Sequence, residues 1–208
     1  MNLFLHLFIF RTYSKISNHH EIIYKPLIIP NGTETITDYE YYNHNEYTGS
    51  LEIPDSVISI GKYAFYNCTG LNGILKLSES LIAIGIHSFE GCHFIGSLII
   101  PDSVEEIDSY AFRGCTFNGT LKLPKNLKTI SSYLFDQCSE FTGPLTIPDS
   151  VTTIGECSFF ECSFNGTLIF PENLEIAGQS AFRHCSNFTS LKLNNKITEI
   201  ENFLFEDC

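Results

Sequence analysis

The chain has 208 residues, 43% of them hydrophobic, with 18 Phe and 10 Tyr, which is too apolar and aromatic for a disordered acidic tail. Its 24 Asp plus Glu against 12 Lys plus Arg give a net charge of -12. That balance argues against binding to a phosphate backbone, which needs clustered cations, and its main consequence is solubility.

Residues 1–26 stand apart from the rest. Leu3 to Phe10 (LFLHLFIF) has the length of a signal-peptide hydrophobic stretch and is too short to span a membrane as a helix. No basic residue precedes it, and Thr12-Tyr13-Ser14 is a poor cleavage pattern. The segment therefore reads as an apolar N-terminal cap or a degenerate leading repeat, with a degenerate signal segment as the alternative.

From Leu27 onward the sequence repeats. Cys68, Cys92, Cys115, Cys138, Cys162, Cys185 and Cys208 follow one another at intervals of 24, 23, 23, 24, 23 and 23. Of the 8 Cys only Cys157 stands outside the series. So even a spacing points to a repeat architecture before it points to a disulfide framework. Units begin at Leu27, Leu51, Leu75, Leu98, Leu121, Leu145, Leu168 and Leu191, so residues 27–208 hold eight repeats, the last incomplete. Each reads approximately L-x-I-P-x-S-V-x-x-I-G-x-x-A-F-x-x-C, then a short loop with Gly two residues before the next Leu.

Leu at position one and Ile or Leu at position three flank a variable residue, the period-two signature of a half-buried strand. Pro at position four (Pro54, Pro101, Pro124) ends that strand, having no N–H for the ladder. A second extended segment follows, as in Val57 to Ile60, and A-F-x-x-C is expected to lay a helical or 3-10 turn over the core. Position fifteen is Tyr41, then Phe65, Phe89, Phe112, Phe135, Phe159, Phe182 and Phe205. With Cys68, Cys92, Cys115, Cys138, Cys162 and Cys185 these Phe are expected to form the core ladder. The first unit carries His44 in place of Cys.

Units such as LEIPDSVISIGKYAFYNC and LTIPDSVTTIGECSFFEC closely resemble the BspA-like, or Treponema-type, leucine-rich repeat, over about residues 27–208. The resemblance implies a leucine-rich-repeat solenoid: a right-handed curved stack with one parallel sheet of short strands, a second extended segment and a helical or 3-10 turn in each coil of 23–24 residues. Members of that family are typically surface or secreted proteins of host-associated bacteria and anaerobic protozoa, implicated in adhesion to host cells, matrix proteins or other microbes. The function implied is a non-catalytic, surface-exposed adhesin or antigen binding a protein, with no nucleic acid and no transmembrane span. The alternative is a cytoplasmic scaffold or regulatory repeat protein with a protein partner, which unpaired thiols suit.

Other chemistry finds little support. The Cys column sits in an apolar register, where a thiol behaves as a small hydrophobe, and parallel side chains on a ladder supply neither a disulfide dihedral nor four converging zinc ligands. His19-His20, His93 and His184 lack a recurring ligand spacing. Asp55, Glu79, Asp102, Asp149 and Glu172 recur at position five, interrupted by Lys125, and suit turn capping better than a Ca²⁺ site. No G-x-G-x-x-G after a strand, Walker A, G-x-S-x-G or H-E-x-x-H occurs, so no enzyme, metal or cofactor is called for. Sequons at Asn31, Asn67, Asn118, Asn165 and Asn187 permit glycosylation without implying it.

The candidate partner-binding face is the outward residue of each strand, at position two: Glu52, Lys76, Ile99, Lys122, Thr146, Ile169 and Lys192. The residue before each Leu adds a second row, from Ser50 and Ile74 to Ser190. Exposed Ile beside Lys on one face of an acidic protein suits an interaction surface, and equally suits a strand whose edge is blunted by Lys.

Overall fold

Period-two alternation at two places in each repeat gives two strand segments per coil. In the structure, a computed structural model, residues 24–208 are described; Leu3–Phe10 and His19-His20 lie outside them. Numbered in chain order, six strands open coils: β2 (Leu51–Glu52), β4 (Leu75–Lys76), β6 (Leu98–Ile99), β8 (Leu121–Lys122), β11 (Gly166–Ile169) and β13 (Phe188–Lys192). Seven more form at positions nine and ten: β1 (Thr35–Ile36), β3 (Ser59–Ile60), β5 (Ala83–Ile84), β7 (Glu106–Ile107), β9 (Thr129–Ile130), β10 (Thr153–Ile154) and β12 (Ile176–Ala177).

Every strand pairing is parallel and joins equivalent positions of successive repeats, as Leu51 with Leu75 and Ile60 with Ile84, except at the start of β11–β13, where Gly166 meets Phe188 and the register shifts before Thr167 meets Ser190. The chain is thus a solenoid of stacked coils. Its strands do not merge into one sheet. Positions nine and ten give two ladders, β1-β3-β5-β7 and β9-β10-β12, while the coil-opening strands associate in pairs, β2-β4, β6-β8 and β11-β13. The coil beginning at Leu145 opens without a strand. It follows Pro144, which has no N–H to give, and only an isolated bridge joins Pro144 to Asn165.

The expected helical or 3-10 turn is corrected by the structure: no helix forms over A-F-x-x-C among the described residues. The stretch instead makes three overlapping turns, in which Ser88, Glu90 and Cys92 donate N–H bonds to the carbonyls three residues back, Gly85, His87 and Phe89. The intervening N–H groups leave the coil. His87, Phe89 and Gly91 donate to Ser109, Ala111 and Arg113 of the next coil at 2.8 to 3.2 Å. A helix commits its N–H groups to its own chain, whereas here alternate groups bind neighbouring coils. That alternation requires left-handed backbone at positions thirteen and seventeen, held at φ 50–64° even by Tyr63, Tyr110, Gln137 and Glu161. An L-residue there costs roughly 1 kcal/mol, offset by the cross-coil bonds.

Between the strand side and this turn side the space is filled by aromatic columns. Phe65, Phe89, Phe112, Phe135, Phe159 and Phe182 are fully buried, and Phe205 in the last coil is half-buried. Adjacent rings stack nearly parallel, with centroids 5.1 Å apart for Phe65–Phe89 and 5.3 Å for Phe89–Phe112. A second buried column, Phe94, Phe117, Phe141 and Phe164, meets the first edge to face, as Phe112 meets Phe117 at 6.3 Å and 67°.

Candidate interaction surface

Position two faces solvent in every coil that carries the candidate row. Glu52, Lys76, Ile99, Lys122, Thr146, Ile169 and Lys192 are all exposed, with the flanking Leu and Ile turned inward except in the last coil, where Leu191 and Leu193 are also exposed. Parallel register sets Glu52 opposite Lys76 and Ile99 opposite Lys122. The Lys76 ammonium lies 2.6 Å from Glu52 Oε1, so its charge is matched within the row, whereas Lys122 and Lys192 form no salt bridge among the described residues. Ile99 is 55% and Ile169 49% exposed, and Ile74 in the neighbouring row is 57% exposed. The face therefore mixes exposed apolar residues with cations, from Lys76 to Lys192.

The row before each Leu is partly occupied by its own hydrogen bonds. Ser50 Oγ accepts the Ile74 N–H at 3.0 Å, Ser97 Oγ accepts the Thr120 N–H at 3.0 Å, and the Thr167 and Ser190 hydroxyls are 2.7 Å apart. These hydroxyls hold paired coils together and leave position two, apart from the Glu52–Lys76 pair, as the row that faces outward uncommitted.

The cysteine column is also resolved. Each buried thiol donates to the carbonyl of the position-fifteen ring in the preceding coil: Cys68 to Tyr41, Cys92 to Phe65, Cys115 to Phe89, Cys138 to Phe112, Cys162 to Phe135 and Cys185 to Phe159, at 2.9 to 3.2 Å. All eight thiols are free, and all but Cys157 aim at a carbonyl rather than at each other. Burial pushes Cys68 up to about 11 and Cys138 and Cys185 up to about 12. It also holds Cys92, Cys115 and Cys162 well above the ordinary 9.0. A thiol so hard to ionise is a poor nucleophile or metal ligand.

Two of the position-five carboxylates act as caps. Asp55 accepts the Glu79 N–H and Asp102 the Lys125 N–H, each at 3.0 Å across coils. Among the described residues no group of three or more His, Cys, Asp or Glu converges as a metal site would require. Two sequon amides are engaged through their nitrogens, Asn67 with Asn43 Oδ1 and Asn187 with Ser163 O.

The opposite, turn side carries the column in which the repeat sets Tyr63, Tyr110 and Tyr133. Tyr39, Tyr63, His87, Tyr110 and Tyr133 at position thirteen stack with centroids 4.5 to 5.0 Å apart. Beside them Arg113 bonds Asp136 Oδ2 through Nε at 2.8 Å and Glu90 Oε1 through Nη1 at 3.2 Å, and His87 Nδ1 bonds Glu90. Burial raises the Asp136 carboxyl, against the pull of Arg113.

The profile of the BspA type leucine rich repeat region matches residues 34–143 and 141–208, in 6 copies. The chain belongs to the BspA-type leucine-rich repeat family. Among solved structures, this BspA-type chain is similar to a leucine rich cell surface protein from Faecalibacterium prausnitzii, with 30% identity and a TM-score of 0.67 over 77% of this chain and 42% of that one. It is also similar to the leucine rich repeat protein of T. pallidum, with 25% identity and a TM-score of 0.60 over 76% of this chain and 73% of that one. The chain thus spans less than half the length of the Faecalibacterium protein. No curated protein sequence matches it. Leucine-rich-repeat proteins of this kind typically bind proteins, and no helix among the described residues is long and apolar enough to cross a membrane.

Proposed function

We propose that this BspA-type solenoid is a non-catalytic protein-binding module, displayed at the cell surface or secreted, that serves as an adhesin or antigen by engaging a host, matrix or microbial protein. The observation that carries the reading is the outward row from Glu52 to Lys192, laid out coil by coil as one exposed face with Ile99 between Lys76 and Lys122 and Ile169 beside Lys192. The similarity to a cell surface protein supports the location. Its net charge of -12 disfavours nucleic acid as the partner.

The test is adherence of the purified protein to fixed host cells and matrix, with Lys76→Glu, Lys122→Glu and Lys192→Glu combined. Adherence falls while circular dichroism and melting stay unchanged. Lys122 and Lys192 carry most of the effect, because Lys76 is already matched by Glu52. Undiminished adherence removes the partner from this face. A cytoplasmic scaffold is the second reading, favoured by the eight free thiols. Protease shaving of intact cells separates the two: a protected protein is not a surface adhesin.

A further inference from the structure

The tyrosine column on the turn side is not needed to build the coil. Cys157 and Ser180 occupy position thirteen in later coils with the same left-handed backbone, and their N–H groups make the same cross-coil bonds, to Gln179 and Asn202. The five rings from Tyr39 to Tyr133 are therefore surplus to the fold, and Tyr42 and Tyr66, stacked at 5.1 Å, extend the same strip. Because the rings cover one another's faces, solvent meets their edges and hydroxyls. A sugar, which stacks on open ring faces, is a poor fit.

Charge narrows the choice further. Asp38, Glu90, Asp136 and Glu156 flank the column, against Lys62 and Arg113, and both cations are already paired with those carboxylates. Among the described residues Glu156 is held only by the Tyr133 hydroxyl, at 2.8 Å. On a chain of net charge -12 this face repels phosphate and anionic lipid.

The molecule also shows what chemistry the face accepts. Where the adjoining column, position sixteen, carries arginine, rings and carboxylates of this face take it up. The Arg113 guanidinium lies 5.9 Å from the Tyr110 centroid between Glu90 and Asp136. Arg183 lies 5.5 Å from the Phe203 centroid and pairs with Glu206. In the first coils Tyr42 and Tyr66 stand at that position, and no arginine among the described residues fills it.

We propose that the tyrosine face from Tyr39 to Tyr133 is a second docking surface, and that its occupant is a lysine- or arginine-rich segment of a protein partner. Guanidinium and ammonium groups donate to the phenol oxygens and carboxylates, while the rigid rings supply contact area at low entropic cost. The surface is separate from the strand row and does not depend on it.

The experiment is fluorescence anisotropy of a labelled nine-residue arginine peptide with the full chain at about 0.15 M salt, where surface attraction is screened beyond about 8 Å. Tyr63→Ser with Tyr110→Ser removes two neutral rings and installs a residue the fold already accepts at Ser180, so bulk attraction to a net charge of -12 is untouched. Binding weakens about tenfold in this variant, in keeping with two lost aromatic contacts, and circular dichroism is unchanged. Glu156→Lys, which leaves the rings in place, weakens it about threefold and keeps the test alive if the double variant misfolds. The Lys76, Lys122 and Lys192 reversals, which report on the strand row, do not weaken it. The proposal is overturned if the peptide fails to bind, if it binds the folded double variant within twofold of the unaltered chain, or if a nine-residue glutamate peptide binds as well.

Discussion

Replacing Cys115 by Ala tests the thiol column at its middle. The Cys115 Sγ donates to the Phe89 carbonyl at 3.1 Å, but that carbonyl also accepts the Cys92 N–H at 3.1 Å, so the substitution orphans no acceptor. What is lost is the packing of one sulfur, worth about 0.8 kcal/mol like a methylene. A residual cavity of some 20 Å³ at about 24 cal/mol per Å³ adds about 0.5 kcal/mol, and a weak S–H···O bond about 0.5 kcal/mol more. Cys115→Ala is thus expected to cost about 2 kcal/mol at pH 7. The difference must shrink in alkali. Burial raises the folded Cys115 thiol well above 9.0, so stability from this site is complete below that value and is lost as pH rises toward the folded value. At pH 9.5, ionisation of the unfolded thiol removes about 0.8 kcal/mol from the native protein and nothing from the variant, so the gap closes to about 1.2 kcal/mol. Over the five most deeply buried thiols the same effect costs the native protein about 4 kcal/mol. Urea unfolding followed by circular dichroism at pH 7, 8.5 and 9.5, with a phosphine reductant present, measures both quantities. A gap that stays constant across this range, or a variant as stable as the native protein at pH 7, refutes the account of a buried, donating thiol.

Three further outcomes rest on single positions. Ser88 Oγ is buried without a hydrogen-bond partner where Ala64 and Ala111 stand in neighbouring coils, so Ser88→Ala should stabilise by about 1–2 kcal/mol in a urea titration. Gln137 is exposed with φ 61°, in the column where other coils carry Gly91 and Gly114, and Gln137→Gly should raise the melting temperature, by a net gain of about 0.5 kcal/mol. A Cβ on Gly73 would stand 2.5 Å from the Ser50 amide nitrogen, a backbone atom, so Gly73→Ala should cost about 1–3 kcal/mol by denaturant unfolding and loosen hydrogen exchange at Leu51 and Leu75.

The inward Leu and Ile at positions one and three, and the Phe and Cys beside them, were readable because each contact recurs unchanged in every coil. The turn ladder was not. Ala64, Phe65 and Cys68 have apolar spacing that suits a helical turn equally well, and the backbone that decides the matter is left-handed at Tyr63, Tyr110 and Tyr133, residues with no preference for that conformation. Gly91, Gly114, Asn43 and Asn67 at position seventeen were the available hint. The second aromatic column was hidden by the changing repeat length. Counted from Cys, Phe94 and Phe117 lie two residues on and Phe141 three, but counted back from the next Leu each lies at minus four. Outward exposure of the strand row followed from alternation alone. Cancellation of the Lys76 charge by Glu52 followed from the register between coils, and His87 joining a tyrosine stack from the αL geometry that turns position thirteen outward.

On the strand side the stack behaves as a dimerised one-dimensional lattice. The coils at Leu51 and Leu98 follow left-handed glycines, Gly49 at φ 88° and Gly96 at φ 81°, and each pairs with a coil whose own glycine, Gly73 or Gly119, lies outside that region. Gly143 and Gly166 are left-handed in succession, and the coil between them opens without a strand. The lattice slips phase there by one coil. Recombination that adds or removes coils in even numbers keeps the pairing in step, whereas an odd change creates a slip or, at residues 145–167, heals one. The unit such a gene can exchange without a fault is therefore two repeats long, although its sequence period is one.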